Sequence, residues 1–437
     1  MTHQTTPPVI SGPGRAAALT AATAYTPLER RLVLLFAIVG ALIESMELNL
    51  LSYPLGDLAS SFHVSKQAVV ATITAQSLAS IAGGFVFGWM ADRWGRRPTY
   101  VAFTATYSLL AIIGAMTHSF DIFTVTRVIA GLAMGGAFGV IFAMFSESWK
   151  SPKRGLMGSV LQGMFIAGTL ITQLILFITI SSLGSEAGWR MGFTVIGVMC
   201  ILIAGTAWFW LPESKLWRAA RDAKKNGVKS THTELPSQDN QPGSRHLVRG
   251  AIFLTICTTG VFAASYSYIT FAPTFLRETL GTSLGVSTMV LTVGTLLGIV
   301  SYVVFGALSD RVGRRKATLW ACVLGVLGFG AFAILGAGSP TVAIVGLMGT
   351  AVGYAGFGVL GTWISEFYPT RFRAFGSGAT YYVARGLGSG LYPLFALSLA
   401  GGDLRVALAL GGFGAALGLL GCIFVPDTAN RVITAQE

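Results

Sequence analysis

The stretch GWMADRWGRR at residues 88–97 returns as GALSDRVGRR at residues 306–315, 218 positions later. Gly88, Asp92, Arg93, Gly95, Arg96 and Arg97 map onto Gly306, Asp310, Arg311, Gly313, Arg314 and Arg315. Each copy closes one apolar segment and precedes the next. A second pair, Glu147 and Arg154 in ESWKSPKRG, has counterparts Glu366 and Arg373 in EFYPTRFRA, 219 positions on. Two matches at nearly one offset, about half the chain, mark a unit written twice. Any fold for this chain must therefore consist of two like halves.

The material of the repeat is apolar. Of the 437 residues 53% are hydrophobic and 11% charged, against roughly 25% charged in soluble domains. The apolar residues fall in runs of about 20, the length that crosses a hydrocarbon core. They are too long and Gly-rich for barrel strands. The pattern predicts twelve membrane helices near 31–56, 67–91, 98–117, 120–147, 155–182, 188–212, 249–277, 283–309, 317–337, 340–366, 373–400 and 404–426, numbered here as spans 1–12.

The net charge of +12 is distributed by side of the membrane. With the N-terminus inside, 24 of the 30 Lys and Arg fall in cytoplasmic segments. External loops hold Lys66, Arg190, Arg277 and Arg405, and Arg127 and Arg385 lie within spans. This is the positive-inside asymmetry. It predicts a multi-pass inner or plasma-membrane protein with both termini cytoplasmic, and it provides no evidence of a nucleic-acid partner. Residues 1–30 lack a credible signal-peptide core and are expected to be a disordered cytoplasmic tail. Spans 1–6 form an N-terminal half (31–212) and spans 7–12 a C-terminal half (249–427). A polar cytoplasmic linker (213–248) with at most a short amphipathic helix joins them, and 428–437 form a C-terminal tail. Cys200, Cys257, Cys322 and Cys422 sit singly on four spans, with neither metal spacing nor a disulfide framework; they read as packing residues. No metal site or cofactor is expected.

Six plus six helices with a basic turn inside each half resemble the major facilitator superfamily, across residues 30–427. DRWGRR and DRVGRR resemble its signature turns after spans 2 and 8, RVIAGLAMGG its span 4 motif and LPESKLW its motif ending span 6. The resemblance implies an all-α membrane protein of two pseudo-repeated six-helix halves, a transporter and not an enzyme. Within the superfamily the chain is most similar to bacterial proton symporters of organic acids, the sialate, aromatic-acid and lactate-like branches. IESMELNLLSYPL on span 1 resembles their paired-acid pattern, with Glu44 and Glu47 where Asp is usual, and YPTRFRAFGSGATYYVARGLGSGLYP resembles their segment around span 11. The acid common after Gly-Gly on their span 4 is absent: the run reads Gly135, Gly136, Ala137, Phe138, so no role resting on that acid carries over.

Glu44, Glu47, Arg127 and Arg385 are the charged side chains well inside the predicted spans. Each costs roughly 2.5–3.5 kcal/mol at a helix centre even on the lenient insertion scale, so such residues mark function by default. At 1.5 Å per residue, Glu44 and Glu47 stand roughly 20 and 24 Å up span 1, and Arg127 roughly 10 Å below the outer face. Those levels coincide, predicting a Glu44/Glu47–Arg127 cluster. Two acids at i and i+3 share a face, and their mutual repulsion tuned by an arginine suits a coupling proton. Glu47 is expected to bind it, with Glu44 and Arg127 setting its affinity; the alternative is a permanent structural ion cluster. Arg385 lies near midplane with no partner acid inside the second-half spans. An unpaired guanidinium there suits bidentate carboxylate binding. Its alternatives are bonds to backbone carbonyls freed around Gly386, Gly388 and Gly390, or a reach across to the first-half acids.

Neutral polar residues are weaker leads. Gln162, Thr169 and Gln173 share a face of span 5, and Thr72 and Gln76 a face of span 2. Tyr266 and Tyr268 on span 7, Tyr354 on span 10 and Tyr381, Tyr382 and Tyr392 around Arg385 can line a cavity, or serve as interhelical glue. Gly131, Gly135 and Gly139 on span 4 are expected to admit a neighbouring backbone. Family resemblance further implies a cytoplasmic gate, in which Arg93, Arg96, Arg97, Arg154, Arg311, Arg314 and Arg373 pair among Asp92, Glu147, Asp310 and Glu366 to latch the inner side.

Together these readings predict alternating-access uptake of a small carboxylate with a proton, by a chain for which a monomer suffices. A sugar symporter is disfavoured because span 7, TTGVFAASYSY, lacks paired glutamines, and an efflux antiporter because span 5 lacks a Gly-Pro motif. A receptor is disfavoured by a linker too small for an output domain. Cargo identity, direction, and proton against sodium coupling stay open at this level.

Overall fold

Gly95 and Gly313 explain why the duplicated turn is written as it is. Each is the single residue between two long helices, with φ of 112° and 100°, a backbone region that side chains with a Cβ avoid. The chain thus reverses direction in one residue and restarts on the arginines. The computed structural model describes residues 25–148, 154–225, 244–335, 339–368 and 373–428.

Span 1 is α1 (Pro27–Leu48) followed by α2 (Leu55–Ser61); span 2 is α3 (Lys66–Trp94) and span 3 α4 (Arg96–Met116). Span 4 divides into α5 (Phe120–Met134) and α6 (Ala137–Ser148), span 5 is α7 (Arg154–Leu183) and span 6 α8 (Ser185–Trp210). A short amphipathic helix, α9 (Lys215–Lys225), follows. In the second half, span 7 is α10 (Ser244–Thr274) with a π turn Phe275–Thr279, span 8 is α11 (Leu284–Val312) and span 9 α12 (Arg314–Leu335). Span 10 is α13 (Pro340–Thr350), a 3₁₀ stretch Ala351–Gly356 and α14 (Phe357–Phe367). Span 11 is α15 (Arg373–Arg385), a π turn Gly386–Leu391 and α16 (Tyr392–Leu399), and span 12 is α17 (Leu404–Ala409) with α18 (Gly411–Phe424).

Among the described residues, nine helical stretches are long and apolar enough to cross a membrane. Spans 1, 10 and 11 are charged or broken. Breaks in fact recur at matching places in the two halves: spans 1 and 7, then 4 and 10. Those of spans 1, 7 and 4 have a local cause. Asn49 donates its side-chain amide to the Ser45 carbonyl at 2.8 Å, competing with the helix, and Pro54 follows. Pro273 lacks the N–H that a regular turn of span 7 needs. Gly135 and Gly136 loosen span 4.

Within each half the neighbours match: span 2 packs on span 4 and span 3 on span 6, as span 8 does on span 10 and span 9 on span 12. The halves meet through spans 2 and 11 and through spans 5 and 8. The span 2–4 contact is very close. An ideal Cβ at Gly131 or Gly135 lies 2.1 Å from the carbonyl oxygens of Gln76 and Ser80 respectively. Gly139 does not continue that row, since nothing stands within 4 Å of its Cβ position. The four cysteines are buried and free.

Candidate functional site

Burial of charge selects the centre of the molecule. Glu47 accepts from Arg127 Nη1 at 2.8 Å, with neither side chain exposed. This pair joins spans 1 and 4 inside the first half. Glu44, one turn earlier, turns to the other half and accepts from Arg385 Nη1 at 2.6 Å. The expectation of a partnerless Arg385 is corrected: the acid comes from span 1, the cross-half alternative open at the sequence level. The expected three-residue cluster is instead two separate pairs. Neighbours on one helix face need not share a partner when different helices flank that face.

Both guanidiniums keep donors in reserve. Nε and Nη2 of Arg127 and of Arg385 are buried without hydrogen-bond partners, as is Glu47 Oε2. Arg127 lies over the rings of Phe123 and Phe193, at 5.9 and 5.8 Å, where a ring face favours cationic charge. Arg385 has Tyr266, Tyr381 and Tyr382 within electrostatic range.

Around that arginine an aromatic cluster crosses the halves. Phe138 of span 4 stacks on Tyr381 of span 11 with centroids 3.9 Å apart and planes at 11°. Phe262 lies edge-on to Tyr381 at 5.4 Å, Phe142 is 4.2 Å from Phe138, and Tyr382 Oη accepts from the Gly139 N–H at 3.2 Å. Phe138, noted in the sequence only as the residue after the position of the missing acid, is thus the first-half face of this stack.

A second polar group lies between spans 1, 5 and 7, around a cavity with about 190 Å³ of empty space, lined by Asn49, Ser52, Tyr53, Thr169, Thr172 and Gln173 with Ile269 and Pro273. Much of that space is open to solvent, and the enclosed part has room for about one water. Asn49 Nδ2 donates to Thr169 at 3.0 Å, while Asn49 Oδ1 and Gln173 Oε1 are buried without partners. Gln173 and Thr169 were visible as a polar face of span 5. Asn49 and Ser52 were missed, though an Asn three residues before Ser-Tyr-Pro was the available signal of a helix break. The side chains of Gln162 and Tyr354 lie outside the described residues. Gln76 contacts Met134 Sδ at 3.5 Å and Thr72 bonds Thr124 at 3.0 Å, both within the first half. Tyr392 donates to the Leu410 carbonyl at 2.6 Å, so it ties span 11 to span 12.

At the end carrying the signature turns, called here the basic end, each cluster closes on its own half. Arg96 binds Asp92 at 2.9 Å and Glu147 at 3.5 Å. Glu213 accepts from the backbone N–H of Arg96 at 2.8 Å, and Ser214 donates to Glu147. The second half repeats the arrangement: Arg314 pairs with Asp310 and, at 3.1 Å, with Glu366. Asp427 accepts from the Arg314 N–H at 3.0 Å, and Thr428 donates to Glu366 at 2.8 Å. The LPES at 211–214 therefore has an echo, VPDT at 425–428, a third internal match that sequence reading overlooked because only Pro is identical. Arg97 and Arg315 donate to the Trp208 and Ile423 carbonyls. Arg93 and Arg311 are exposed, Arg93 lying over the Trp89 ring. The side chains of Arg154 and Arg373 lie outside the described residues. Among those described, no ion pair at this end joins the two halves.

The opposite end does join them. Arg277 of span 7 binds Asp57 of α2 through both terminal nitrogens, Nη2 at 3.0 Å. Lys66 binds Glu278, Gln67 donates to Ser398 at 2.7 Å, and Tyr53 bonds Thr288 at 2.6 Å. Asp57 was not singled out from the sequence, because it stands beyond the break in span 1.

The comparisons with known proteins agree with this architecture. The model of the family described as "Major Facilitator Superfamily" matches residues 34–393. A cis,cis-muconate transport protein of Acinetobacter baylyi is 27% identical over 404 residues, covering 90% of this chain and 93% of its own. A probable 4-methylmuconolactone transporter of Cupriavidus pinatubonensis is 24% identical over 402 residues, 90% of each chain. A putative niacin/nicotinamide transporter of Bacillus subtilis is 25% identical over 380 residues, covering 86% and 90%. Among solved structures, a partially occluded inward-open xylose transporter from E. coli superposes with a TM-score of 0.72 at 17% identity, over 92% of this chain and 99% of the other; that likeness speaks for the fold alone. This chain belongs to the major facilitator superfamily of membrane transporters.

Proposed function

We propose that the protein takes up a small, planar organic carboxylate together with a proton, by alternating access between its two halves, with the basic end facing the cytoplasm. Arg385 carries this reading. It is wholly buried where the halves meet, keeps two donor nitrogens without partners and is bordered by stacked rings from both halves. A guanidinium offers carboxylate a bidentate fork, and flat rings favour a flat cargo. The relatives named for muconate and niacin point the same way. One of the two buried acids of span 1 supplies the site for a coupling proton, since an anion entering alone leaves unbalanced charge in a medium that penalises it. The basic distribution supports the orientation, and the ion pairs joining the halves at the opposite end describe a carrier shut on its outer side.

The test is uptake into proteoliposomes under an imposed inward proton gradient, with radiolabelled benzoate, nicotinate, cis,cis-muconate and xylose. The expected result is gradient-driven uptake of at least one acid, abolished by Arg385→Ala. Movement of xylose alone sinks the carboxylate reading.

A further inference from the structure

Glu44 and Glu47 are equally buried and one turn apart, yet only one shares its arginine with the interface between the halves. Glu44 engages Arg385 through Nη1. The other edge of that guanidinium, Nε with Nη2, is buried and free, and it is the edge that receives a carboxylate side-on with two parallel hydrogen bonds. No hydrogen bond of Arg385 need break for a substrate carboxylate to dock there; the side chains packed over that buried edge are what must move aside. Resting on the carboxylate reading above, we propose that Glu44 and the substrate carboxylate bind opposite edges of Arg385 and that Glu44, not Glu47, carries the coupled proton.

The charge count fixes the stoichiometry. Empty, Glu44 and Arg385 sum to zero. One carboxylate on the free edge makes the site −1, and a single proton from the side of substrate entry, held as a carboxylic acid at Glu44, restores zero. Loss of that proton leaves two carboxylates on one guanidinium, which repel and expel the mobile one. Glu47 stands outside this exchange, because its partner Arg127 belongs to the same half and contacts it directly. The titratable and charged groups facing Glu44 are Arg385, Tyr381 and Tyr382 from span 11, Tyr266 from span 7 and Tyr107 from span 3, with Glu47 beside it already bound to Arg127 of span 4. Of these the arginines and tyrosines ordinarily titrate above the pH range of the test, which leaves the acids.

The experiment is calorimetric binding of benzoate and nicotinate to the purified full-length protein in two buffers of different ionisation enthalpy, across pH 6–9. Wild type is expected to take up one proton per anion, its affinity falling about tenfold per pH unit on the alkaline side. Glu44→Gln is expected to bind with no proton uptake and no pH dependence, Glu44→Asp to restore both, and Glu47→Gln to keep the uptake. Elution as a single species checks that each variant is folded. Proton uptake surviving in Glu44→Gln but lost in Glu47→Gln overturns the assignment while leaving the carboxylate reading standing. Binding of neither acid by folded wild type overturns the carboxylate reading and the assignment with it.

Discussion

Arg127 has two roles that its neighbours separate. It neutralises Glu47 at 2.8 Å, and it fills a wall of rings from Phe123 and Phe193. Removing one member of a buried pair strands the other, at a cost of about 3–5 kcal/mol, whereas replacing both with apolar residues of similar volume is often nearly harmless. Arg127→Met is therefore expected to lower the unfolding midpoint in detergent sharply, and Glu47→Leu with Arg127→Met to recover most of the loss. Equal damage from single and double variants would show that the ring contacts dominate. At the basic end, Glu29 accepts from the Thr26 N–H and from Lys215 Nζ at 2.7 and 2.6 Å, and the Lys215 hydrogen bond holds its carboxyl below the usual carboxylate range. A lowered acid stabilises the fold above its unfolded pKa of about 4.3, and that benefit disappears as pH falls through the folded value. Thermal midpoints of wild type and Glu29→Gln should thus differ by the equivalent of about 0.2–1 kcal/mol at pH 6 and converge as pH falls through the folded value. The four deep charges were legible because ionised groups are rare in apolar runs. Their pairing was not: sequence spacing tells which residues share a helix face, and only the packed neighbours decide that Glu44 meets span 11 while Glu47 meets span 4.

At the level of the helix, long apolar runs and signature turns were enough to place twelve spans, but not to see where they break. Asn49, the Gly135–Gly136 pair and Pro273 are ordinary in composition, and residues of these types also occur inside unbroken helices; for Asn49 the break is reinforced by its bond to Thr169 of span 5. The π turn of span 11 shows what such a break achieves. It sets Gly390 and Gly386 against span 2, where an ideal Cβ meets Ser77 Cβ at 2.6 Å and Ile81 Cδ1 at 2.5 Å. The Ile81 end can swing aside, but the Ser77 Cβ cannot. Gly390→Ala is accordingly expected to push the halves apart, costing about 1–3 kcal/mol of the form closed along spans 2 and 11. Gly386→Ala should be milder. Unfolding midpoints of the two variants, read side by side, check the order; a more damaging Gly386→Ala contradicts it.

Across the whole molecule, duplication and chemistry part company. The clamps at the basic end are written twice, down to Glu213 with Ser214 and Asp427 with Thr428. The deep charges are not: three lie in the first half and Arg385 alone in the second. Repetition was therefore a good guide to the scaffold and a poor one to the site, which depends on what the halves do not share. The ion pairs at the opposite end are likewise unrepeated, and under the proposed alternating access they would have to part for that end to open. Asp57→Asn deprives Arg277 of its carboxylate and should shift the population toward opening at that end. With a coupling of about 1–3 kcal/mol, the expected change is 5–150-fold. A thiol reagent added from that side should label Ser52→Cys at the cavity correspondingly faster in the Asp57→Asn background, and an unchanged rate would assign the Asp57–Arg277 pair to stability alone.

The self-contained clamps have one more consequence. Because each described ion pair at the basic end begins and ends in the same half, the peptide connection across residues 226–243 contributes chiefly effective concentration. A chain cut there and produced as two polypeptides becomes a heterodimer, held by the contacts of spans 2 and 11 and of spans 5 and 8 and by the Glu44–Arg385 pair at its centre. Its assembly then obeys mass action, and cargo that bridges the two fragments acts as their ligand-dependent glue.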